Sequence, residues 1–388
     1  MASPRPDAQE SLADSAILPA DHWAELPQHE DDDDDDDGGG GGGGDGNDDD
    51  DDDDGGGEGG GDGGEDHDRD SAFGDQPAAE STASISSSIL AYRTIHGRTY
   101  HSERGNAQYW ASNDERANES MDLNHHLLTL CLRDKLYLAP IKPDRLKKVL
   151  DVGTGTGIWA IDFADAHPDA EVIGTDISPI QPSWIPPNLQ FQIDDCTQDW
   201  TFPPNTFDYV HMRYLVGSIA DWHALFAQAF AALAPGGHLE SLEGSPSMES
   251  DDGTVDPRSA MGQWGRFFLE GGRATGRSFA VVADGVQRAA MEAAGFVDVQ
   301  EWDYKVPIGP WPRDRRLREL GSVAQLTLQE DEEGYVLFMA NVLAGWSREQ
   351  IHVYIAHLRR QLRAGKSHAY FRLKAVWGRK PEVETGGN

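Results

Sequence analysis

The chain has 388 residues and a formal net charge of −36, and residues 1–85 alone hold 29 acidic and 2 basic residues. The rest carries a net charge of only −9 and lacks the basic stripe of proteins that grip phosphate backbones, which excludes direct nucleic-acid binding from our predictions. Two cysteines, Cys131 and Cys196, exclude a disulfide framework and a C-x-x-C zinc site, and the sequence contains no apolar run long enough to predict a membrane span.

The N-terminal part of the chain is a low-complexity acidic segment. Residues 31–64 are almost entirely Asp and Gly, a composition that buries no apolar surface and repels itself. We predict that residues 1–88 are a disordered tail and linker, either an expanded repeat without a role, which we favour, or a segment that recruits a basic partner or loosely binds divalent ions. No signal peptide is recognisable, so the predicted location is the cytoplasm or the nucleus.

The predicted ordered part, residues 89–388, begins near Ile89 with a polar and aromatic stretch that becomes an amphipathic helix. Asn113 or Asp114 has the residue type of a helix N-cap. The apolar face of this helix comprises Met121, Leu123, Leu127, Leu128 and Leu130.

Strand and helix patterns then alternate. The predicted strands are KVLDV (148–152), EVIGTD (171–176), LQFQI (189–193), FDYVHM (207–212) and GHLESL (237–242). The predicted helices are IWAIDFADAH (158–167) and DWHALFAQAFAALA (221–234). This alternation predicts an α/β fold with a parallel sheet that helices cover on both faces.

The alternation breaks after the fifth strand. Residues 244–283 are irregular apart from one apolar helical patch, and residues 285–306 predict a helix, a glycine stop and a strand. The tail predicts two helices and a last strand, HAYFRLKAVW, that is edge-adjacent or antiparallel; Ser347 with Gln350 has capping-box spacing, and Gly365 is a stop.

Two insertions, 244–283 and 309–365, are predicted to lie over the strand ends as a cap that forms the walls of an acceptor pocket. Aromatic residues are frequent in and beside them: Trp264, Phe267, Phe268, Trp302, Trp311 and Trp346. These side chains either line a pocket for an apolar, planar molecule or are ordinary core.

The stretch VLDVGTGTGIWAIDFA (149–164) reads as a strand, a glycine-rich turn and a helix start, where a nucleotide often binds. Gly153, Gly155 and Gly157 have G-x-G-x-G spacing, which disfavours a dinucleotide, and the absence of G-K-[ST] excludes a triphosphate loop. Asp151 would repel a pyrophosphate but suits a ligand that carries an ammonium and a sulfonium. The predicted ligand is S-adenosylmethionine.

Acidic residues follow the next two strands. Asp176, which ends the second strand, is placed to accept hydrogen bonds from both ribose hydroxyls. Asp195 is placed to accept from the adenine amino group, and Cys196 to offer its backbone N–H to the ring. Asp194 is an alternative to Asp195 for this contact, and a capping role is an alternative for both.

These features together carry a family resemblance. The glycine loop with Asp151, Asp176, the DDC turn, FDYV and LAPGGHLE resemble the class I, Rossmann-like, S-adenosylmethionine-dependent methyltransferases. The stretches 99–128, 207–222 and 368–381 resemble the fungal LaeA-like methyltransferases, so that the resemblance runs from about Tyr92 to Pro381. It implies a seven-stranded sheet with the last strand antiparallel, a cofactor at the strands' carboxyl ends, and a role in fungal secondary metabolism, either methylating a metabolite or acting as a nuclear regulator with protein partners.

The chemistry of transfer leaves several candidates. His211 could deprotonate a hydroxyl and Arg213 could pair with a substrate carboxylate, although packing or capping roles are equally compatible with the sequence. Glu240 and Glu243 could face the acceptor. Tyr100, His101 and Tyr109 could form a lid over the cofactor. We assign no catalytic base and no metal ligand.

Three functions compete at this point. The first is a methyltransferase that acts on a small, apolar or aromatic acceptor. The second is a regulator that binds the cofactor and protein partners, with methylation secondary. The third, a nicotinamide-dependent oxidoreductase, is disfavoured by Asp151 and by the glycine spacing.

Overall fold

The computed structural model describes residues 16–26, 90–102 and 109–382. The Asp/Gly-rich segment 31–64 and most of the predicted linker lie outside these ranges, so their predicted disorder stays a prediction.

A seven-stranded sheet forms the centre of the described fold. A short antiparallel hairpin, β1 (Arg93–Ile95) and β2 (Arg98–Tyr100), precedes it. The seven strands are β3 (Lys148–Val152), β4 (Glu171–Asp176), β5 (Leu189–Ile193), β6 (Phe207–Arg213), β7 (Leu233–Gly244), β8 (Val297–Pro307) and β9 (Tyr370–Arg379). Their order is β5-β4-β3-β6-β7-β9-β8, and β9 runs antiparallel to both of its neighbours. The predicted fold class, a Rossmann-like sheet with an antiparallel last strand, is confirmed.

Helices cover the sheet and its carboxyl edge. They are α1 (Ala20–Glu25), α2 (Glu115–Cys131), α3 (Ile158–Ala166), α4 (Trp222–Ala232), α5 (Ala260–Thr275), α6 (Val286–Ala294), α7 (Arg315–Glu330), α8 (Glu332–Leu337) and α9 (Arg348–Ala364). A π-helical turn, Phe338–Leu343, continues α8. The helix α7 was not among the predicted elements.

Local capping signals explain where two of these helices begin and end. The Asp114 carboxylate accepts a hydrogen bond from the Ala117 backbone N–H at the start of α2. Ser347 and Gln350 form the predicted capping box at the start of α9, and Gly365 ends that helix in the left-handed conformation, at φ 59°. The predicted apolar face of α2 is too wide by one position, because Leu123 is exposed.

The helix α1 lies in a part of the chain that was predicted to be disordered, so the predicted start of order near Ile89 needs correction. The Trp23 side chain is 1% exposed and its ring packs edge-on against Tyr354 of α9 at 5.1 Å between centroids. The backbone carbonyl of Trp23 also pairs with the His357 ring at 2.9 Å. Described, packed residues therefore precede the Asp/Gly-rich segment in the sequence as well as follow it.

Candidate functional site

A cavity of about 310 Å³ opens where the parallel strands of the sheet end. The turns after β3, β4 and β5 line it, together with residues of α2, α5, α7 and α8. Strands that run in parallel bring their carboxyl ends to one edge, so the loops that follow them meet there.

The glycine loop forms one wall of this cavity. Gly153, Gly155 and Gly157 have φ values of 69°, 59° and 82°, a backbone region that is strained for residues with a Cβ. Gly153 and Gly155 line the cavity. Gly157 does not; a Cβ there would meet the Phe191 ring at 2.3 Å, so this glycine allows α3 to pack closely against β5.

Asp151 lies beneath the loop and does not line the cavity. Its side chain is buried and accepts a hydrogen bond from the Thr154 hydroxyl at 2.6 Å. Its other oxygen is 2.7 Å from Nδ1 of His211 on the neighbouring strand. Burial lowers the pKa of His211, which favours a neutral ring that donates Nδ1–H to Asp151. The Asp151–His211 pair therefore stabilises the glycine loop through the hydrogen bond from Thr154 to Asp151.

Asp176 reaches the cavity from the end of β4. Its carboxylate accepts hydrogen bonds from the backbone N–H of Gly155 at 2.8 Å and of Ser178 at 2.9 Å. Burial raises the pKa of Asp176 to about 6. The side chain therefore joins the first two loops and remains available to a ligand on its cavity side.

The turn after β5 brings Asp194, Asp195 and Cys196 to the same cavity. The Asp195 carboxylate closes this turn by accepting from the backbone N–H and the hydroxyl of Thr197, at 3.0 and 2.7 Å. Asp195 therefore caps this turn, a role that the sequence left open, and it also lines the cavity. Burial raises the pKa of the Cys196 thiol to about 12, so this thiol is protonated at neutral pH.

Aromatic side chains also line the cavity, but most of them are not the ones that the sequence indicated. Of the six predicted aromatic side chains, only Trp264 and Phe268 line it. Apart from Tyr109, which the sequence assigned to a lid, the lining aromatic residues that sequence reasoning did not assign to the acceptor wall are Trp110, Tyr214, Phe279, Tyr335 and Phe371. They lie on five separate segments, so no local pattern could have grouped them.

The other four predicted aromatic residues pack elsewhere. Phe267 and Trp346 contact each other in the core, with ring centroids 5.1 Å apart. Trp302 stacks on Tyr304 along β8, at 5.0 Å. Trp311 donates its indole N–H to the carbonyl of residue 369 and lines a separate, smaller cavity. Their predicted role as acceptor walls is wrong.

Two polar side chains, Asn113 and Arg213, line the cavity together with the aromatic residues. Asn113 is 5% exposed, lines the cavity, and neither its amide nitrogen nor its carbonyl oxygen has a hydrogen-bond partner among the described residues. Arg213, at the end of β6, also lines the cavity. Buried polar groups normally have partners, so an unpaired Asn113 amide indicates a position that a ligand can satisfy.

The other candidates for acid–base chemistry lie outside the cavity lining. His211 is buried and stacks on Trp159 with 3.7 Å between ring centroids. Glu240 accepts from the backbone N–H groups of residues 138 and 139, and Glu243 from those of residues 215 and 216. Burial raises the pKa of Glu240 to about 7 and that of Glu243 to about 8. Each glutamate on β7 thus holds a neighbouring loop through backbone hydrogen bonds. The predicted position of both residues facing the acceptor is wrong.

Of the three residues predicted to form a lid over the cofactor, only Tyr109 lines the cavity. Tyr109 lines the cavity, whereas Tyr100 and His101 are buried beside it. Nε2 of His101 accepts from the backbone N–H of Tyr109 at 2.8 Å, which fixes the point where the chain enters the cavity wall.

No helix among the described residues is long and apolar enough to cross a membrane. The described His, Cys, Asp and Glu side chains include no group of three arranged to hold a metal ion.

Comparison with known proteins gives a consistent picture. A family model described as "Methyltransferase domain" matches residues 123–301. The chain is 39% identical to "Methyltransferase pytC" of Aspergillus terreus over 78% of this chain and 92% of that protein. It is 33% identical to "Secondary metabolism regulator LAE1" of Cochliobolus heterostrophus over 74% of this chain and 94% of that protein. Among solved structures, it is similar to phosphoethanolamine N-methyltransferase 2 of Haemonchus contortus, with 17% identity, a TM-score of 0.40, and coverage of 66% of this chain and 52% of that one.

Proposed function

The chain belongs to the fungal LaeA-like methyltransferases, within the class I S-adenosylmethionine-dependent superfamily, and from this premise we propose that it methylates a small apolar molecule of secondary metabolism. The observation that carries the proposal is that one cavity is lined both by the glycine loop with Asp176 and by several aromatic side chains. The first set of residues suits a cofactor and the second suits an acceptor.

The residues of the first half fit S-adenosylmethionine. Gly153 and Gly155 expose backbone at the loop, and Asp176 presents a carboxylate already oriented by two backbone N–H groups. We propose that Asp176 accepts from the ribose hydroxyls, that Asp195 or Asp194 accepts from the adenine amino group, and that Cys196 offers its backbone N–H. Asp151 and Gly157 act one layer below, by supporting the loop.

When bound, S-adenosylmethionine supplies a methyl group on an electrophilic sulfonium. The work left to the chain is therefore to orient the acceptor in line with that bond and to exclude water. Trp264, Phe268 and Phe279 form an apolar wall whose neighbouring rings are tilted by 51° and 58°, which suits an apolar acceptor. Since the Cys196 thiol is protonated, it does not compete with the acceptor for the methyl group.

The cavity also limits which atom is methylated. No histidine, lysine or glutamate of the described residues lines it. An acceptor that needs a strong base to lose its proton is therefore disfavoured. A carboxylate, an acidic hydroxyl or a neutral amine reacts without one, and these are the acceptors we propose.

Asn113 is expected to hold the polar edge of the acceptor. Replacing it with leucine removes both unpaired amide atoms, and we expect the acceptor KM to rise about tenfold while cofactor affinity stays within about twofold. Asn118→Leu is a matched control, because the Asn118 carbonyl oxygen is also unpartnered but lies outside the cavity lining. Steady-state kinetics on both variants check this; an equal effect of both would contradict it.

The proposed function is tested by methyl transfer from labelled S-adenosylmethionine. Purified full-length protein is incubated with the labelled cofactor and two separate fractions of a fungal extract, one of small metabolites and one of proteins. We expect the label to appear in an organic-extractable metabolite. In a separate binding control, we expect the protein to bind S-adenosylmethionine and not NAD. Label only in the protein fraction would overturn the small-molecule proposal.

One observation favours a second candidate, a regulatory role. The relative from Cochliobolus heterostrophus is named as a regulator and matches over nearly its whole length. In that case the acceptor would be a protein or the bound cofactor alone would act as a signal. We propose that the enzyme acts in the cytoplasm or the nucleus. We further propose that residues 89–388, with α1 packed on them, form the catalytic domain, and that its cap lies at residues 244–283 and 309–365.

A further inference from the structure

Arg213 lines the proposed site at the carboxyl end of β6. The register pairs Val152 of β3 with Met212 of β6, so the next residues, Gly153 and Arg213, come side by side at the carboxyl edge of the sheet. Both line the cavity. Arg213 is thus placed between the cofactor loop and the aromatic acceptor wall.

The guanidinium of Arg213 has no carboxylate partner within salt-bridge distance among the described residues. Its Nη1 is 3.0 Å from Nδ1 of His125 on α2. Burial lowers the pKa of Arg213, as expected for a cation removed from water without full compensation. By contrast, Asp331, another charged group of the lining, is paired with Arg98 at 2.7 Å.

His125 holds the guanidinium in place through a defined tautomer. Arginine can only donate, so Nδ1 of His125 must accept, and Nε2–H donates to the Asp162 carboxylate at 2.9 Å. Burial and the nearby Arg213 charge lower the pKa of His125, which favours this neutral form. The charged groups that act on His125 are Arg213 on β6, Asp162 on α3 and Asp122 on α2 itself.

We propose that Arg213 binds a carboxylate group in this cavity and that His125, fixed by Asp162, is a positioning residue for it. The planar, fixed N–H donors of an arginine match a carboxylate in a bidentate pair, and a buried cation without a carboxylate partner favours binding of such a group. This inference rests on the proposed function, which offers two sources of the carboxylate: the amino-acid part of the cofactor, or the acceptor.

The first arm of the test separates the cofactor source. Calorimetry compares S-adenosylhomocysteine with 5′-methylthioadenosine, which lacks the amino-acid part, on the full chain. If Arg213 binds the cofactor carboxylate, Arg213→Gln weakens S-adenosylhomocysteine about 10- to 100-fold and leaves 5′-methylthioadenosine unchanged. Arg315→Gln, at a surface arginine paired only with Glu319, serves as the matched control.

The second arm separates the acceptor source. With S-adenosylhomocysteine bound, 2-naphthoate and its neutral amide, 2-naphthamide, are titrated into wild type and Arg213→Gln. Loss of a preference for the acid in the variant, with unchanged S-adenosylhomocysteine affinity, assigns the carboxylate to the acceptor. If Arg213→Gln changes neither arm while its melting temperature matches wild type, the inference is wrong. If wild type binds neither nucleoside, the proposed function itself fails.

The role of His125 is tested by rescue and by pH. His125→Ala is expected to weaken the Arg213-dependent ligand about 3- to 10-fold, and His125→Asn, which keeps an oxygen near the Nδ1 position, to restore most of it. Protonation of His125 removes its acceptor and adds a like charge beside Arg213, so affinity is present above the lowered pKa and falls below it. Because Asp176, whose pKa is about 6, also becomes protonated as the pH falls, the informative quantity is the difference between wild type and His125→Asn. No such difference, together with no loss of affinity in His125→Ala, would overturn the positioning role.

Discussion

Asp176→Ala is expected to raise the Kd for S-adenosylmethionine at least about 100-fold. Two charge-assisted hydrogen bonds to ribose hydroxyls would be lost, at roughly 1.5–3 kcal/mol each. The variant also removes the acceptor that fixes the Gly155 backbone N–H, so the glycine loop loses part of its orientation. Isothermal titration of the full chain measures the effect.

Asp165→Ala is the matched control, because Asp165 is an exposed aspartate on α3. Asp176→Asn tests whether charge or shape matters, since the amide keeps one acceptor oxygen but turns an NH₂ group toward a backbone donor. We expect it to bind almost as poorly as Asp176→Ala. Wild-type affinity in Asp176→Ala would remove the cofactor assignment.

The same residue predicts how cofactor affinity changes with pH. Its pKa is raised to about 6 by burial, so the charged form that accepts from the ribose is present above that pH and is lost below it. Affinity for S-adenosylmethionine should therefore fall as the pH is lowered through about 6, and Asp176→Asn should not show this fall.

The sequence predicted the sheet better than it predicted the site. The strands β3, β4 and β5 begin and end at the predicted residues, because short apolar runs between glycine, proline and charged residues define buried parallel strands. The strand β7 begins at Leu233, earlier than predicted, since the residues before the PGG turn still pair with β6. Such pairing depends on the neighbouring strand and not on the local pattern.

The position of Asp151 shows why side-chain roles were harder. Its spacing from the glycines is visible in the sequence, but its partner His211 lies 60 residues away and becomes adjacent only because β6 lies beside β3. Once that partner is present, the carboxylate is satisfied beneath the loop. The motif thus led to the cavity, while the order of the strands decided which of its residues line that cavity.

The cap shows the same limit for apolar residues. The helix α7 escaped prediction because three of its four buried positions are a glycine, an alanine and a threonine, which give little apolar signal: Leu320, Gly321, Ala324 and Thr327. Two of these four, Ala324 and Thr327, line the cavity. Aromatic content alone could not distinguish Trp264, which lines the cavity, from Phe267. Phe267 follows three residues later on α5, packs in the core and does not line the cavity.

Trp23→Ala is expected to lower the free energy of unfolding by about 3–5 kcal/mol, the usual cost of truncating a fully buried large side chain. The indole contacts Tyr354 and His357 of α9, and the segment around it is also held by hydrogen bonds from the Ile17 and Leu18 backbone N–H groups to α5. Urea unfolding of the full chain measures the effect. Trp184→Ala is the matched control, since Trp184 is 90% exposed and its loss should change the free energy by less than about 0.5 kcal/mol. Equal stability of the two variants would mean that α1 does not dock in solution; a large difference would make residues 17–25 part of the catalytic domain, with the acidic segment as an insertion between two anchored points.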